Sequence, residues 1–445
     1  MFKKIAAFLF FSALLIPASV SAETPSLTFT ESDRILVIAP HPDDEALGAG
    51  GILQSAKVAN ARVKIIYLTN GEANEISSLF YQKRPLLIRS DFLKNGLTRQ
   101  NEAVDAMSFL GLRPEDQVFL GYPDGGTLNI WIKYWGNSKA FRSLFTRFNK
   151  VPYTGDFSYG HAYKGDEIVH DLERVFLSFE PTHIFVTAPF DLNTDHQAAY
   201  LYATVALLDL EEQLKPAPQV HLYVVHAHHW PEPKNYLPEK PLAIPQHIDW
   251  QDQVRWDIYP LRPEQVSKKK EAILNYKSQI AYKKKFLLSF ARANELFIDY
   301  PKERLLPETA GEDPHATPSA ASKSGDVVYW WVGKELWLEV PLTAALDEMG
   351  VLSTYIFSYR KGFLFADMPK LAFKLFGNKM MVYDGGRPVY DPSIVYKLEK
   401  NRLWVRIPLA YLKDPDYLFV STRNTKEELS LDFGSWKMLE LVKSP

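Results

Sequence analysis

The sequence contains no cysteine, and this absence narrows the chemistry that its 445 residues can carry. Disulfide bonds and thiolate metal sites are excluded, so any metal must be held by nitrogen and oxygen ligands. An excess of positive charge is also missing. The formal net charge of −2 at pH 7 gives no electrostatic basis for binding nucleic acid or an anionic membrane surface.

Long apolar runs are scarce as well, and the main one lies at the amino terminus. It extends from Ile5 to Pro17, behind the basic pair Lys3 and Lys4, and small residues at positions 20–22 follow it. The run is shorter than the ~20 residues of a membrane-spanning helix, and the three parts together are typical of a cleavable export signal. We therefore expect a signal peptide at residues 1–22, a secreted or periplasmic protein, and no stable membrane insertion after cleavage. A lipoprotein is excluded because there is no cysteine to acylate.

The first candidate site follows a predicted buried strand. Residues 35–38 are apolar and mostly β-branched, which favours a strand covered on both faces. The run HPDDE at positions 41–45 comes next, and the surrounding prolines make this exit a stiff turn. His41 and a carboxylate of Asp43 or Asp44 could share a divalent metal at the carboxyl end of the strand, where open α/β sheets bind ligands. The alternative is a polar turn in which one of these aspartates caps the following helix.

A second candidate site follows another predicted buried strand, residues 183–187. Its exit carries the run DLNTDH at positions 191–196. His196 is the natural third metal ligand, and Asp195 could orient an imidazole from behind. A further strand ends at His226, for which a metal or acid role is one interpretation and a solvated or core histidine is the other.

The HPDDE run and the Asp-His pair resemble the LmbE-like (PIG-L) family of zinc-dependent N-deacetylases. The resemblance extends in patches from residue 35 to residue 297. It implies a Rossmann-like α/β fold, with a mostly parallel sheet and helices on both faces. It also implies that His41, Asp44 and His196 hold zinc and that Asp43 acts as the general base. The same ligand set suits Fe²⁺.

By the same resemblance, Arg99 and Asp124 hold polar groups of the substrate, because similar proteins carry an Arg-x-x-Glu helix and an Asp-Gly turn. Taken alone, Arg99 is more simply the partner of Glu102 in a salt bridge, and Asp124 is more simply a turn residue. The chain departs from the family at Asn193, where a histidine that is thought to protonate the leaving amine is usual. Asn193 can bind an oxyanion but cannot donate and regain a proton. The acid is then either the general base, returning its proton, or His226.

Other side-chain patterns predict the surroundings of this site. Phenylalanines at positions 141, 145 and 148 have helical spacing and predict one buried helix face. The lysine runs 268–270 and 283–285 are expected on solvated helix faces. Four aromatic residues are candidates for stacking on a sugar ring: Trp131, Trp135, Tyr159 and Tyr163.

The last third of the chain differs in composition. Residues 308–325 are poor in large apolar side chains and are expected to link a catalytic domain, residues 23–307, to the carboxyl-terminal region. Residues 326–445 contain short aromatic-rich strands without a strong helical segment, which predicts a β-sandwich-like accessory domain. We expect this domain to fold separately, either as a carbohydrate-binding module or as a packing partner of the catalytic domain.

Three functions are compatible with these residues. The first is an exported N-deacetylase that removes acetyl groups from an amino sugar or glycan of the N-acetylglucosamine type through metal-activated water. The second is a hydrolase of another N-acyl sugar amide. The third is a metal-supported glycan-binding protein without turnover, against which Asp43 argues because binding alone needs no general base.

Overall fold

The computed structural model describes residues 27–73, 88–246, 254–300, 302–308, 322–324, 327–342, 350–399, 402–424 and 434–443. The predicted signal peptide and most of the predicted linker lie outside these ranges. Within the described ranges, no helix is both long and apolar enough to cross a membrane.

The amino-terminal part is built on a seven-stranded sheet. The strands are Arg34–Ala39 (β1), Arg62–Thr69 (β2), Gln117–Tyr122 (β3), His183–Thr187 (β4), Gln219–Tyr223 (β5), Arg255–Pro260 (β6) and Asn294–Asp299 (β7). Their order in the sheet is β3-β2-β1-β4-β5-β7-β6. Strands β1 to β5 are parallel, whereas β7 is antiparallel to both of its neighbours. The predicted mostly parallel sheet is confirmed.

Two groups of helices pack on this sheet. The helices are Asp44–Val58 (α1), Arg89–Phe109 (α2), Thr127–Lys133 (α3), Gly165–Phe179 (α4), Thr194–Asp209 (α5), Pro263–Leu274 (α6) and Lys277–Leu288 (α7). Contacts join α1, α2, α6 and α7 into one group and α3, α4 and α5 into the other. All of β4 and nearly all of β1 is buried, because a strand between two helix layers exposes neither face.

The carboxyl-terminal part is a β-sandwich, as predicted. Its strands are Glu303–Leu305 (β8), Pro307–Glu308 (β9), Ser322–Ser324 (β10), Val327–Val332 (β11), Glu335–Pro341 (β12), Val351–Tyr359 (β13), Lys370–Phe376 (β14), Lys379–Asp384 (β15), Arg387–Pro388 (β16), Val395–Glu399 (β17), Arg402–Pro408 (β18), Tyr417–Asn424 (β19) and Lys437–Leu441 (β20). One sheet has the order β16-β15-β14-β13-β19-β20-β8, and the other has the order β10-β11-β12-β18-β17 with β9 beside β11. Fully buried side chains of both sheets, such as Leu338 and Ile356, form the core between them.

The chain reaches this sandwich earlier than the predicted boundary at residue 307. Strand β8 pairs with β20, and β9 pairs with β11. The composition of residues 303–305 does not reveal that they belong to the sandwich. Strand β8 is held by backbone pairing and places only Leu305 in the sandwich core. The predicted range of the catalytic domain therefore includes β8 and the first residue of β9.

The second face of the seven-stranded sandwich sheet packs directly on the amino-terminal part of the chain. Trp131 of α3 is fully buried there. Its ring centroid lies 5.1 to 5.9 Å from those of four aromatic residues of the sandwich: Phe357, Phe365, Phe419 and Trp436. These side chains belong to the same continuous core as the parallel sheet. Separate folding of the two parts does not fit such an interface.

This interface also overturns most of the predicted sugar-stacking residues. Trp131 and Tyr163 are 0% exposed and Trp135 is 6% exposed, so their ring faces are covered by protein. Tyr159 is exposed, but it does not line the cavity at the carboxyl ends of β1 and β4. Aromatic content alone does not distinguish a domain interface from a sugar-binding surface.

The predicted phenylalanine helix is wrong, because residues 140–149 form turns and irregular structure. Each of the three rings packs on a different neighbour. Phe141 contacts Tyr134, and Phe145 contacts Phe92 in α2. The ring of Phe148 lies under the guanidinium of Arg89, the first residue of α2. Helical spacing here arises from three separate contacts and not from one helix face.

Candidate metal and catalytic centre

The two motif-bearing turns meet at the carboxyl ends of β1 and β4. These strands are neighbours in the middle of the sheet, and the chain continues from them toward opposite edges. Such a switch in strand order leaves a crevice in which open α/β sheets bind ligands. The turn after β1 holds His41, Asp43 and Asp44, and the turn after β4 holds Asp191 and His196.

His41, Asp44 and His196 form a compact triangle of metal-binding atoms. His41 Nδ1 and His196 Nε2 each lie 3.1 Å from Asp44 Oδ2, and they lie 3.3 Å from each other. Ligands at the ~2.0–2.2 Å bond lengths of tetrahedral zinc are roughly 3.3 Å apart. All three side chains are buried. The triangle therefore fits a divalent metal ion as it stands, and its donor types suit zinc or Fe²⁺.

The surrounding carboxylates favour positive charge at this triangle. Burial by itself lowers the pKa of His196, but Asp191 and Asp44 outweigh it and raise this pKa to about 9. Burial by itself also lowers the pKa of His41. Asp124 and two other carboxylates outweigh burial and raise this pKa well above its usual value. An environment that draws protons onto two buried imidazoles also stabilises a divalent cation, which competes with those protons.

Asp43 stands at the start of α1 without capping it. Its φ of 122° is rare for a residue other than glycine, and its side chain makes no capping hydrogen bond. The backbone N–H of Asp43 donates to Glu45 Oε2 at 3.1 Å. The carboxylate lines the cavity. The alternative in which Asp43 is a simple helix cap is therefore wrong, and its strained backbone, which costs roughly 1–3 kcal/mol, holds a carboxylate beside the metal-binding triangle.

Arg99 braces this turn. Its guanidinium donates to the carbonyl of Pro42 at 2.6 Å and to that of Gly71 at 2.8 Å, and it lies 3.4 Å from Asp43 Oδ2. Burial raises the pKa of Asp43 to about 6, and the charge of Arg99 acts against that shift. Glu102, the partner in the simpler alternative, accepts two hydrogen bonds from a serine of α7, while Arg99 pairs with Asp43. Arg99 also lines the cavity, so its predicted substrate contact stays a prediction.

The sequence analysis missed Asp191, which supports the second turn. Asp191 Oδ2 lies 3.2 Å from His196 Nδ1 and accepts hydrogen bonds from the backbone N–H groups of Val225 and His226 at 2.8 and 2.9 Å. Its other oxygen accepts from Asn193 N at 2.9 Å. A carboxylate held in this way fixes the ring of His196 from the side opposite the triangle. The only sequence signal was an acidic residue close after a predicted strand.

Asp195, which was predicted to orient an imidazole, contacts His41. Its Oδ2 lies 3.3 Å from His41 Nε2, and Asp124 Oδ1 lies 3.1 Å from the same nitrogen. Asp195 also accepts hydrogen bonds from Gly125 N at 2.7 Å and Thr127 N at 3.1 Å. His41, Asp124 and Asp195 form a second group that could hold a metal. We favour the first triangle because it supplies two imidazoles and one carboxylate, which is a usual ligand set of a catalytic zinc site, whereas the second group supplies only one imidazole.

Asn193 and His226 both line the cavity. Asn193 caps α5, and its side-chain oxygen accepts from Asp195 N at 2.8 Å. Its amide N–H groups are thereby the side-chain groups that remain to meet a substrate oxygen. The ring centroid of His226 lies 4.9 Å from that of His196, and its ring stacks on Phe286. Burial lowers the pKa of His226 to about 4.

The cavity in front of the triangle has a volume of about 440 Å³. Besides the residues already named, its walls include several that the sequence analysis did not select: Leu47, Ala73, Phe145, Gln279, Lys283 and Phe286. Lys283 was expected on a solvated face, but α7 has non-helical dihedral angles at this residue, and its side chain reaches the cavity. Lys269 also departs from that expectation, because it is fully buried against Glu295 at 2.6 Å.

Comparisons with known proteins find similarity to the amino-terminal part of the chain. The family model for PIG-L, described as GlcNAc-PI de-N-acetylase, matches residues 36–207. Similar solved structures include N,N'-diacetylchitobiose deacetylase from Pyrococcus horikoshii, at 18% identity over 60% of this chain and 84% of that chain, with a TM-score of 0.36. A deacetylase of the teicoplanin pathway, in complex with teicoplanin, shares 20% identity over 56% and 88% of the two chains, with a TM-score of 0.36.

The 4-carboxy-2-hydroxymuconate hydratase of Pseudomonas putida is also similar, at 17% identity over 61% of this chain and 97% of that chain, with a TM-score of 0.37. A comparison with curated proteins finds no match. The family match covers both turns of the candidate site, from the strand before His41 to the helix after His196. Residues 36–207 are a domain of the PIG-L (LmbE-like) family, as the HPDDE run and the Asp-His pair predicted.

Proposed function

We propose that this protein is an exported, metal-dependent hydrolase that removes the N-acetyl group from an amino sugar or glycan of the N-acetylglucosamine type. The observation that carries the proposal is the triangle of His41, Asp44 and His196, of which His41 and Asp44 line one cavity together with Asp43. The family match, whose description names an N-acetylglucosamine derivative, supports the substrate class. Zinc is the expected metal, and Fe²⁺ suits the same donors.

A divalent metal held by the triangle would lower the pKa of a bound water and polarise the amide carbonyl. Asp43 then accepts the proton of the attacking water. Burial raises the pKa of Asp43 to about 6, so its carboxyl group is ionised at neutral pH and can accept a proton. Removal of its negative charge should therefore abolish turnover and leave the metal in place.

The leaving amine needs a proton, and the amide of Asn193 cannot transfer one, although it can donate a hydrogen bond. We propose that Asp43 returns the proton that it took from water, since its carboxylate lines the same cavity as His41 and Asp44. His226 is less suited, because burial lowers the pKa of its imidazole to about 4 and leaves it neutral at pH 7. The amide N–H groups of Asn193 instead donate to the developing oxyanion.

The first test separates metal binding from turnover. Purified protein is analysed for bound metal and incubated with N-acetylated chitooligosaccharides, and acetate and new free amines are measured. His41→Ala, Asp44→Ala and His196→Ala should each lose the metal, whereas Asp43→Asn should keep it and lose acetate release. Full metal occupancy in His196→Ala would sink the ligand assignment.

A second measurement defines the acyl group and the destination of the protein. The same glycan carrying propionyl or octanoyl amides should be hydrolysed more slowly than the acetylated one. Faster release of a longer acyl group would favour the alternative of another N-acyl amide hydrolase. Expression of the full chain, followed by fractionation and mass determination of the mature amino terminus, tests the proposed export and cleavage after Ala22.

A further inference from the structure

Two contacts join the sandwich to the turn that carries Asp191 and His196. The backbone N–H of Trp436 donates to the carbonyl of Pro189 at 3.2 Å. Arg423, at the end of β19, donates from Nη2 to Gln197 Oε1 at 2.6 Å. The first contact lies just before Asp191 in the chain and the second lies just after His196, so the sandwich holds both ends of the turn.

Gln197 passes this contact on to the site. It is fully buried, and its Nε2 donates to the backbone carbonyl of Asp191 at 2.8 Å. A guanidinium can only donate and a carbonyl can only accept, so the two partners leave the amide of Gln197 one orientation. Asp191 in turn faces His196 Nδ1 at 3.2 Å. The contacts therefore run without a gap from Arg423 to a residue of the metal-binding triangle.

We propose that the sandwich is a structural part of the metal centre, in which Arg423 is a positioning residue that sets metal affinity through Gln197 and Asp191. The described residues that line the cavity all precede residue 288. The sandwich thus acts on the site through the turn after β4 and not by touching the substrate there.

The setting of Arg423 supports this role. Burial lowers the pKa of its guanidinium to about 10, and its charged end lies over the ring of Trp436 at 5.8 Å. A desolvated guanidinium gains more from a fixed acceptor than an exposed one does. Its loss leaves the oxygen of Gln197 without its charged donor and frees the amide to turn, which withdraws its hydrogen bond from Asp191.

The test measures Zn²⁺ affinity of the full-length protein by competition with a chelator. Substitution of residues that support a metal ligand from behind typically weakens affinity ~10–100-fold. Because Arg423 acts through one more residue, Arg423→Met should weaken affinity roughly three- to tenfold. Arg423→Lys should recover part of the loss, since an ammonium can donate to Gln197. Arg402→Met is the matched control, because Arg402 pairs with Glu339 at 2.8 Å within the sandwich, and it should leave affinity unchanged.

A double-mutant cycle distinguishes positioning from general damage. If Arg423 acts through Gln197, then Gln197→Met should weaken affinity by itself, and adding Arg423→Met should cause little further loss. Unchanged affinity in folded Arg423→Met, or full additivity in the cycle, would overturn the inference. If Arg423→Met fails to fold, Gln197→Met alone decides, and unchanged affinity in it is equally contrary. The inference rests on the proposed metal site. Retention of metal by His196→Ala would reject that site itself, whereas metal loss there with no effect of Arg423→Met would reject only the inference.

Discussion

The two turns that carry the metal-binding triangle are held by different parts of the molecule. The turn after β1 is braced within the catalytic domain, where Arg99 binds two of its neighbouring carbonyl groups. The turn after β4 is braced partly from outside that domain, by Trp436 and Arg423 of the sandwich. This difference teaches that the first turn takes its arginine brace from within residues 36–207, while the second turn is also held by a unit that the family match does not cover.

The strongest way to break this comparison is to damage the interface that carries the external brace. Trp131→Ala removes a fully buried ring that touches four aromatic residues of the sandwich. We expect a loss of about 3–5 kcal/mol in the free energy of unfolding, as for other large-to-small core changes. Trp337→Ala, on the outer sheet, is the control and should cost less. Denaturant unfolding measures both, and equal effects would show that the interface is not a shared core.

The brace of the first turn is tested by Arg99→Met. This change leaves the buried Asp43 carboxylate without its cation and two carbonyl groups without their donor, so stability should fall by about 2–3 kcal/mol. Arg99→Lys should not restore it, because one ammonium cannot reproduce the fork of the guanidinium. Exposed Arg113→Met should leave the melting temperature unchanged. A stable Arg99→Met protein would mean that the turn holds its shape without this brace.

The imidazoles also differ in their support, and this sharpens the comparison. His196 Nδ1 faces one carboxylate, Asp191, whereas His41 Nε2 faces both Asp124 and Asp195. Asp191→Asn should therefore weaken Zn²⁺ affinity by ~10–100-fold, and Asp195→Asn should weaken it only a few-fold. Chelator competition on folded variants measures both values. The reverse order would show that His41 depends on Asp195 alone.

The site residues that could be predicted from the sequence are those whose neighbours in the chain are also their neighbours in space. The HPDDE run and the Asp-His pair combine a strand, a turn and a helix start in a few residues, so sequence spacing nearly determines their placement. The parallel sheet was readable for the same reason, because its strands are continuous apolar runs. Asp191 was not, since only its contact with His196 distinguishes it from any other acidic residue after a strand.

The errors share one physical cause, which is that a pattern specifies burial but not the partner. From the sequence alone, Trp131 fits a sugar-stacking residue and an interface residue equally well. Its contact with Trp436 of the sandwich decides for the interface. The phenylalanine at position 145 fits a helical period, yet it packs on Phe92 and lines the cavity. Lys283 is hydrophilic in any scale, and only the irregular turn of α7 brings it to the site.

The smallest expected effect concerns the charge buried where the two parts meet. Lys370 is 2% exposed, donates to the carbonyl of Met368 at 3.0 Å, and lies 4.9 Å from the ring centroid of Trp135 in the catalytic domain. Burial lowers its pKa from 10.5 to about 7. Between pH 7 and 10.5 the unfolded chain therefore holds a proton that the folded chain has released, so stability rises with pH in this window and is insensitive to this group below it.

From pH 7 to pH 8 the contribution of Lys370 should be about 1 kcal/mol, from the linkage between proton binding and folding. Other groups titrate in the same range, so the quantity to measure is the difference in pH slope between wild type and Lys370→Met, by urea unfolding at the two pH values. The variant should lose this part of the slope, whereas exposed Lys379→Met should keep it. An unchanged slope in Lys370→Met would mean that the lysine stays protonated at the interface, and that the sandwich and the catalytic domain enclose a full positive charge between them.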